Sequence, residues 1–247
     1  MRHALTPADL LSVWERGCSQ SPVDRALSVL ACAVAEAPIE KLAQWSIGRR
    51  DAELLKLREQ IFGPRMIGQA DCPACGEQVE LNFATADICT ELSGEPDEAF
   101  TLQTNGHELQ FRLPNSLDLA EISSIPVTAG SDLTRSLLER CLISARQERE
   151  EITADRLPAE VAQAVSEKMS EVDPQGDMQL VLNCPHCANR WHAPLDIVSF
   201  LWSEIHAWAV RMLRDVHALA SAYGWREADI LAMSPQRRQA YLELVEA

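Results

Sequence analysis

Apolar residues recur every three or four positions in the first part of the chain, residues 1–68, and this spacing predicts amphipathic helices. Residues that start helices lie between the apolar stretches, with a capping hydroxyl in front of a proline. The start signals are Thr6-Pro7 and Ser21-Pro22. A third helix is predicted from about Arg49 to a stop at Gly63-Pro64, so we assign 1–68 to an N-terminal helical segment.

The last part of the chain, residues 198–247, carries the longest helical pattern. One continuous apolar stripe runs along it, formed by Leu201, Ile205, Trp208, Met212, Val216 and Leu219. Gly224 interrupts the stripe, and shorter helices are predicted over 226–233 and 235–245. This part is therefore interpreted as a C-terminal helical segment.

Strand patterns are confined to the middle segment, residues 69–197. The stretch "AFTLQTNGHELQFRL" predicts a β-hairpin, because apolar residues alternate on both sides of Asn105-Gly106, a pair typical of type I′ turns. Helices are predicted over 131–145 and 158–171, and another is capped by Asn115 or Ser116. The sequence thus predicts an α+β fold that is predominantly helical, with a small antiparallel sheet and an inserted hairpin.

A short cysteine motif occurs twice in this middle segment. "DCPACGEQVELNF" and "LNCPHCANRWHAPL" each place two cysteines three positions apart around a proline and then lead into strand-like alternation. A C-P-x-C turn directs two thiolates towards one point, and two such turns supply the four ligands of a tetrahedral Zn²⁺ site. The predicted metal ligands are Cys72, Cys75, Cys184 and Cys187.

The spacing between the two cysteine pairs is unusual for a zinc ribbon, whose pairs are commonly about 15–20 residues apart. Residues 76–183 would be an insertion, which makes the middle segment a split zinc ribbon with an inserted hairpin and helices. The alternatives are a redox pair, two half-sites completed by other ligands, and zinc shared between protomers. A redox motif would open a helix, whereas these pairs continue into strands.

Histidines near the second pair are alternative ligands. His186 lies inside the second turn and His192 follows it, but four cysteines already complete a tetrahedral site. A four-thiolate site leaves no open position for substrate or water, so we expect the zinc to be structural.

Composition narrows the functional classes. The chain has 37 acidic and 22 basic residues, for a net charge of -15. This charge repels phosphate backbones and anionic lipids, so nucleic-acid and membrane binding are disfavoured, and it favours a basic protein partner. No apolar run is long enough to span a membrane, and the N-terminus lacks a secretory signal. We expect a cytoplasmic protein with reduced thiols.

Catalytic signatures are missing from the sequence: it has no phosphate-binding loop, dinucleotide fingerprint or zinc-protease helix. We therefore expect a protein that is not an enzyme. Two alternatives remain open at this point. One is a zinc-ribbon regulator that binds nucleic acid, and the other is a metal-dependent enzyme that uses His206 and His217 with carboxylates such as Glu204.

Several longer stretches, taken in order, carry a family resemblance. They are "LLSVWERG", "SIGRRDAELLKLREQIFGP", "CPACGEQVEL", "FRLPNSLDL", "CPHCANRW" and "DVHALASAYGWREADILAMSPQRRQAYLELV". Over nearly its whole length the chain resembles proteins encoded in the tail gene clusters of contractile phages and phage-derived injection systems, a family grouped with baseplate hub assembly chaperones. The resemblance implies a cytoplasmic, non-enzymatic role in building a baseplate hub. It also implies hub, spike or neighbouring tail proteins as partners.

Overall fold

The computed structural model describes residues 5–34, 37–89, 99–125, 132–148 and 150–246. These residues are mainly helical and contain small antiparallel sheets, so the predicted α+β class is confirmed. The chain forms two compact units, one made of Met1–Pro38 with Val198–Ala247 and the other of Ile39–Ile197. Within the described ranges, no helix is long and apolar enough to cross a membrane.

The regular elements follow one another in this order. The α-helices are α1 (Pro7–Gly17), α2 (Pro22–Ala33), α3 (Ile39–Ala43), α4 (Ile47–Phe62), α5 (Ser116–Ser123), α6 (Leu133–Cys141), α7 (Ala159–Val172), α8 (Ile197–Tyr223), α9 (Glu227–Leu231) and α10 (Pro235–Glu246). The strands are β1 (Arg65–Asp71), β2 (Gln78–Ala84), β3 (Phe100–Thr104), β4 (His107–Phe111), β5 (Leu142–Gln147), β6 (Glu150–Glu151), β7 (Gln179–Asn183) and β8 (Arg190–Pro194). Short 3₁₀ helices lie at Thr85–Asp87, Ala154–Arg156 and Pro174–Gly176.

The predicted helix starts in the first segment are confirmed by their caps. Thr6 precedes α1 and exchanges hydrogen bonds with Asp9, since its hydroxyl accepts from the Asp9 N–H and its own N–H donates to the Asp9 carboxylate. Ser21 caps α2 in the same position. The third predicted helix, α4, begins slightly earlier than expected, because Ser46 accepts a hydrogen bond from the Arg49 N–H.

The apolar stripe of α8 forms the core of the first unit. Its residues Leu201, Ile205, Met212 and Leu219 are buried. Leu11 of α1 and Leu231 of α9 form a cluster with Ala209 and Met212 of α8, and Trp14, Trp208 and Val216 lie at its margin. Gly224 follows α8 with a φ of 67°, a left-handed conformation that glycine adopts without steric cost.

The strands that the structure describes in the second unit form three antiparallel sheets. Strands β1 and β2 form one hairpin, and β7 and β8 form another. The predicted inserted hairpin is β3–β4, and both residues of its turn have positive φ, 48° at Asn105 and 74° at Gly106, as a type I′ turn requires. This hairpin continues into a sheet with the order β3-β4-β5-β6.

The prediction of a helix over 131–145 is only partly correct. Residue 131 lies outside the described residues, α6 covers Leu133–Cys141, and the chain then enters β5. Leu138, Cys141, Leu142 and Ala145 have the spacing of one helix face, which explains the error. Pairing of β5 with β4 fixes the extended conformation instead, and α7 packs on the resulting sheet through Val161 and Val165.

Candidate metal centre

The two cysteine pairs meet at one point in the second unit. The sulfurs of Cys72, Cys75, Cys184 and Cys187 all lie within 4.8 Å of one another. The Sγ–Sγ distances are 3.7 Å between Cys72 and Cys187 and 3.6 Å between Cys75 and Cys184. A tetrahedral site with Zn–S bonds of about 2.3 Å has sulfur–sulfur edges of about 3.8 Å. These two sulfur–sulfur distances are therefore close to those of a tetrahedral zinc site.

The turn between β1 and β2 carries the first pair and is closed by two backbone hydrogen bonds. The Cys72 N–H donates to the Glu77 carbonyl at 2.8 Å, and the Gly76 N–H donates to the Cys72 carbonyl at 2.8 Å. Gly76 has a φ of 75°. The chain thus reverses direction directly after the second cysteine and continues as β2.

The turn between β7 and β8 repeats this arrangement. The Cys184 N–H donates to the Asn189 carbonyl at 2.8 Å, and the Ala188 N–H donates to the Cys184 carbonyl at 3.0 Å. Ala188 takes the place of the glycine and also has a positive φ, 59°. The repeated sequence motif is thus a repeated backbone structure, and each copy presents two sulfurs.

Hydrogen bonds to sulfur favour thiolate at the buried Cys72. Burial raises the pKa of its thiol, but hydrogen bonds from the backbone N–H groups of Ala74 and Cys75 and from the Cys187 thiol outweigh burial and lower this pKa to about 6. The side-chain Nδ2 of Asn189 lies 3.9 Å from the same sulfur and donates to it across the two turns.

The thiols of Cys75 and Cys187 hold their protons more tightly, because the pKa of each is raised. The Glu77 N–H lowers the pKa of Cys75, but burial and hydrogen bonds with the other three thiols outweigh it and raise this pKa to about 12. Without a cation, one thiolate in such a cluster discourages ionisation of the next. A divalent cation removes that penalty and favours four thiolates, so the donor set fits Zn²⁺ in chemistry as well as in distance.

Burial differs between the two members of each pair. Cys72 and Cys184 are buried, whereas Cys75 and Cys187 are exposed. Each turn therefore contributes one inner and one outer sulfur. Among the residues that the structure describes, the four cysteines are the only group of three or more histidine, cysteine or acidic side chains that converge in this way.

The histidines considered from the sequence lie outside this cluster. His186 and His192 are both exposed side chains near the second turn. His206 and His217 are exposed on α8, in the other unit. His206 accepts a hydrogen bond at 3.0 Å from the indole Nε1–H of Trp14, an arrangement typical of local packing.

Buried polar residues near the hairpins are not evident from the sequence. Asp173 and Gln175 are 6% and 1% exposed and flank Pro174. Each has a hydrogen-bond partner far away in sequence, Ile88 for Gln175 and Gly48 for Asp173, which no local pattern indicates. Sequence reasoning also misses Asn189, although its position directly after the second cysteine turn is a signal that points to it.

These observations define an α+β protein with a four-cysteine cluster that joins two hairpins from distant parts of the chain. A comparison with protein families matches the family described as T4 bacteriophage base plate protein to residues 28–202, well over half of the chain. The chain belongs to this family. No curated protein and no solved structure matches the chain itself.

Family membership confirms the resemblance at the level of phage baseplate proteins. It supports a structural or assembly role in the phage tail baseplate and implies interaction with other phage tail proteins. The matched range includes both cysteine turns and the whole Ile39–Ile197 unit. The candidate metal centre therefore lies inside the part of the chain that the family shares.

Proposed function

We propose that this protein is a non-enzymatic, chaperone-like assembly protein for the baseplate hub of a contractile phage tail or phage-derived injection system. It acts in the cytoplasm, and a structural Zn²⁺ holds it together. The family match over residues 28–202 carries the baseplate role. The convergence of four sulfurs supports the zinc.

The zinc would act as a cross-link within the second unit. Cys72 and Cys75 bind it from the first hairpin, and Cys184 and Cys187 bind it from the second. A four-thiolate site is closed, so the ion supplies binding energy and no Lewis-acid chemistry. In small zinc-binding peptides that energy is about 10 kcal/mol or more.

The surface of the same unit supports a docking role. Most of the acidic excess of the chain lies in Ile39–Ile197. Apolar side chains are exposed on its strands, with Ile67 68% and Val181 45% exposed. An acidic surface that also presents apolar side chains suits a protein partner with basic and apolar groups. The proposed partners are hub, spike or neighbouring tail proteins.

Co-purification tests the docking role. The tagged chain would be co-expressed separately with each protein encoded beside it in the tail gene cluster and then recovered at low and moderate salt. We expect one hub or spike protein to co-elute in a fixed ratio, with less recovered as salt rises, because salt screens charge complementarity. Recovery of the chain alone in every combination would contradict the proposal.

Mass spectrometry of purified particles separates two kinds of assembly protein. A chaperone-like protein is expected to be found in lysates together with unassembled hub protein and to be depleted from finished particles. A stoichiometric amount in finished particles would instead identify a built-in baseplate component.

Metal analysis tests the zinc. The purified chain is expected to contain one zinc per molecule, and substitution of all four ligand cysteines by serine is expected to abolish it. A wild-type chain that contains no zinc and binds none on titration would contradict the structural role assigned to the metal.

A further inference from the structure

Both hairpins of the metal centre are attached to the same helix, α4. The first hairpin begins directly after this helix, at Gly63-Pro64. Thr85 follows the hairpin and is 1% exposed. Its N–H and its hydroxyl both donate to the Pro64 carbonyl, at 2.9 and 3.1 Å, so the end of the hairpin lies beside its start. The base of the first hairpin is thereby closed against the end of α4.

The second hairpin is attached to the other end of α4. The 3₁₀ helix Pro174–Gly176 precedes β7 and packs on α4. The Asp173 carboxylate accepts a hydrogen bond at 2.9 Å from the Gly48 N–H in the first turn of α4. A Cβ atom on Gly48 would lie 1.9 Å from Asp173 Oδ1, so the two segments meet where a side chain does not fit.

A buried amide links the two hairpin bases. The Nε2 of Gln175 donates to the Ile88 carbonyl at 3.0 Å, across 87 positions of sequence. Ile88 directly follows the 3₁₀ helix Thr85–Asp87 that ends the first hairpin. Shortly after Gln175 in the sequence, the Met178 carbonyl accepts a hydrogen bond at 2.9 Å from the Leu195 N–H, which closes the base of the second hairpin.

We propose that Gln175 is a positioning residue for the metal centre. Together with Asp173, Gly48 and Ile88 it forms what we call the α4 joint, which holds the hairpin bases side by side so that the cysteine turns converge before metal binds. The inference rests on the proposed zinc site and adds that the site is pre-organised by the protein. Zinc binding to a pre-organised site costs less free energy for ordering the chain, so the zinc affinity depends on the α4 joint.

A thermodynamic cycle distinguishes positioning from general stabilisation. If Gln175 only stabilises the fold, its replacement lowers the stability of zinc-bound and zinc-free protein equally, and the stabilisation produced by zinc is unchanged. If Gln175 positions the turns, its replacement also reduces the stabilisation that zinc produces. Zinc affinity falls in parallel, because the two quantities are linked.

The experiment compares Gln175→Met with Gln179→Ala in the full chain. Methionine keeps the length and the burial of the glutamine side chain but cannot donate to Ile88. Gln179 lies on β7 and is exposed, and its amide donates to Asp177 at 2.7 Å, so it is a matched control on the same hairpin. Zinc affinity is measured by competition with a chelating dye, and urea unfolding is measured with saturating zinc and with EDTA.

We expect Gln175→Met to weaken zinc binding about 10-fold or more, the range seen when groups behind metal ligands are removed. Gln179→Ala is expected to leave zinc affinity unchanged. Gln175→Met protein that is folded and binds zinc as tightly as wild type would overturn the inference and leave the proposed function intact. Failure of the wild type to bind zinc would instead contradict the proposed structural metal.

A second variant covers the case in which Gln175→Met does not fold. A Cβ on Gly176 would lie 3.3 Å from the Gly48 nitrogen, so Gly176→Ala displaces the joint by a few tenths of an ångström without removing a hydrogen bond. This variant is expected to weaken zinc binding in the same direction by a smaller factor. Unchanged affinity in Gly176→Ala would then overturn the inference.

Discussion

The residue after the second cysteine of each turn has a left-handed backbone conformation, and the two turns differ at this position. Glycine occupies it in the first turn, at Gly76, and alanine occupies it in the second, at Ala188. A residue with a Cβ atom pays about 1–2 kcal/mol for this conformation. The second turn therefore carries backbone strain that the first avoids, and the strain lies within the metal centre.

We expect Ala188→Gly to raise the free energy of unfolding by about 0.5–1 kcal/mol. Relief of the left-handed strain exceeds the additional chain entropy that glycine loses on folding. Urea unfolding of wild type and variant at equal metal content measures the change. The reciprocal substitution, Gly76→Ala, is expected to lower stability by a similar amount, and a shift of both variants in the same direction would contradict this account.

At Gly48, in contrast, lack of space requires glycine. A Cβ at this position would approach Asp173 Oδ1 to 1.9 Å, far closer than two such atoms can come. We expect Gly48→Ala to lower the free energy of unfolding by roughly 3 kcal/mol, because Asp173 must leave the helix terminus. Chemical unfolding measures it, with Gly63→Ser as a comparison, since a Cβ at Gly63 meets no atom within 4 Å and strains only the backbone.

At the scale of elements, one buried carboxylate fixes the position of α5. Asp118 lies in the first turn of α5 and is 1% exposed. It accepts two hydrogen bonds from Arg112, at 2.6 and 2.8 Å, and one at 3.2 Å from Arg140 at the end of α6. The start of α5 is thereby tied to the chain that leaves β4 and to α6.

The ionisation of Asp118 follows from these contacts. Burial raises the pKa of its carboxyl, but hydrogen bonds from Arg112, from the Asn115 N–H and from Arg140 outweigh burial and hold this pKa below its usual range. A lowered pKa in the folded state means that Asp118 stabilises the fold above the unfolded-state pKa of about 3.9. That stabilisation is lost as pH falls through the folded-state pKa.

We expect Asp118→Asn to lower the free energy of unfolding by roughly 3 kcal/mol at neutral pH, because Arg112 and Arg140 lose their anionic partner. The difference between wild type and variant should narrow as pH falls below about 4. Urea unfolding at a series of pH values measures it. Asp177→Asn, which changes an exposed residue, is the control. If the difference in free energy of unfolding between wild type and Asp118→Asn stays constant with pH, the lowered pKa of Asp118 is contradicted.

The elements also show what the sequence can and cannot predict. Helix starts at Thr6, Ser21 and Asn115 are predicted correctly because a capping side chain and its N–H partner lie within three residues. The cysteine turns are found for the same reason. The prediction for β5 is wrong, because its apolar spacing fits a helix and only pairing with β4, a distant contact, makes it extended. The hydrogen bonds of Gln175 to Ile88 and of Asp173 to Gly48 escape prediction because these partners lie 87 and 125 positions away.

At the scale of the whole molecule, both cysteine pairs lie in one compact unit. Cys75 and Cys184 are 109 positions apart within Ile39–Ile197, so an ion bound by both turns would close most of this unit into a loop, with α4 outside it. Cross-links over long loops remove the most entropy from the unfolded chain. Loss of a bound metal is therefore expected to destabilise most of this unit.

We expect Cys184→Ser to abolish stoichiometric zinc binding and to lower the melting temperature by more than about 5 °C, which corresponds to a loss of a few kcal/mol in a chain of this size. Metal analysis and a thermal scan measure the two effects. Cys18→Ser is the matched control, because Cys18 is exposed and lies in the other unit. A Cys184→Ser protein that retains zinc and melts as wild type would show that this cysteine is not a ligand.

The hydrogen bond between Gln175 and Ile88 has an evolutionary consequence. It brings together the two ends of the intervening stretch, residues 89–172, so that this stretch leaves and re-enters the rest of its unit at nearly one place. Segments whose ends meet in this way tolerate gain and loss of length well. Relatives of this chain can therefore change the length or content of the intervening stretch while the two cysteine pairs stay close together.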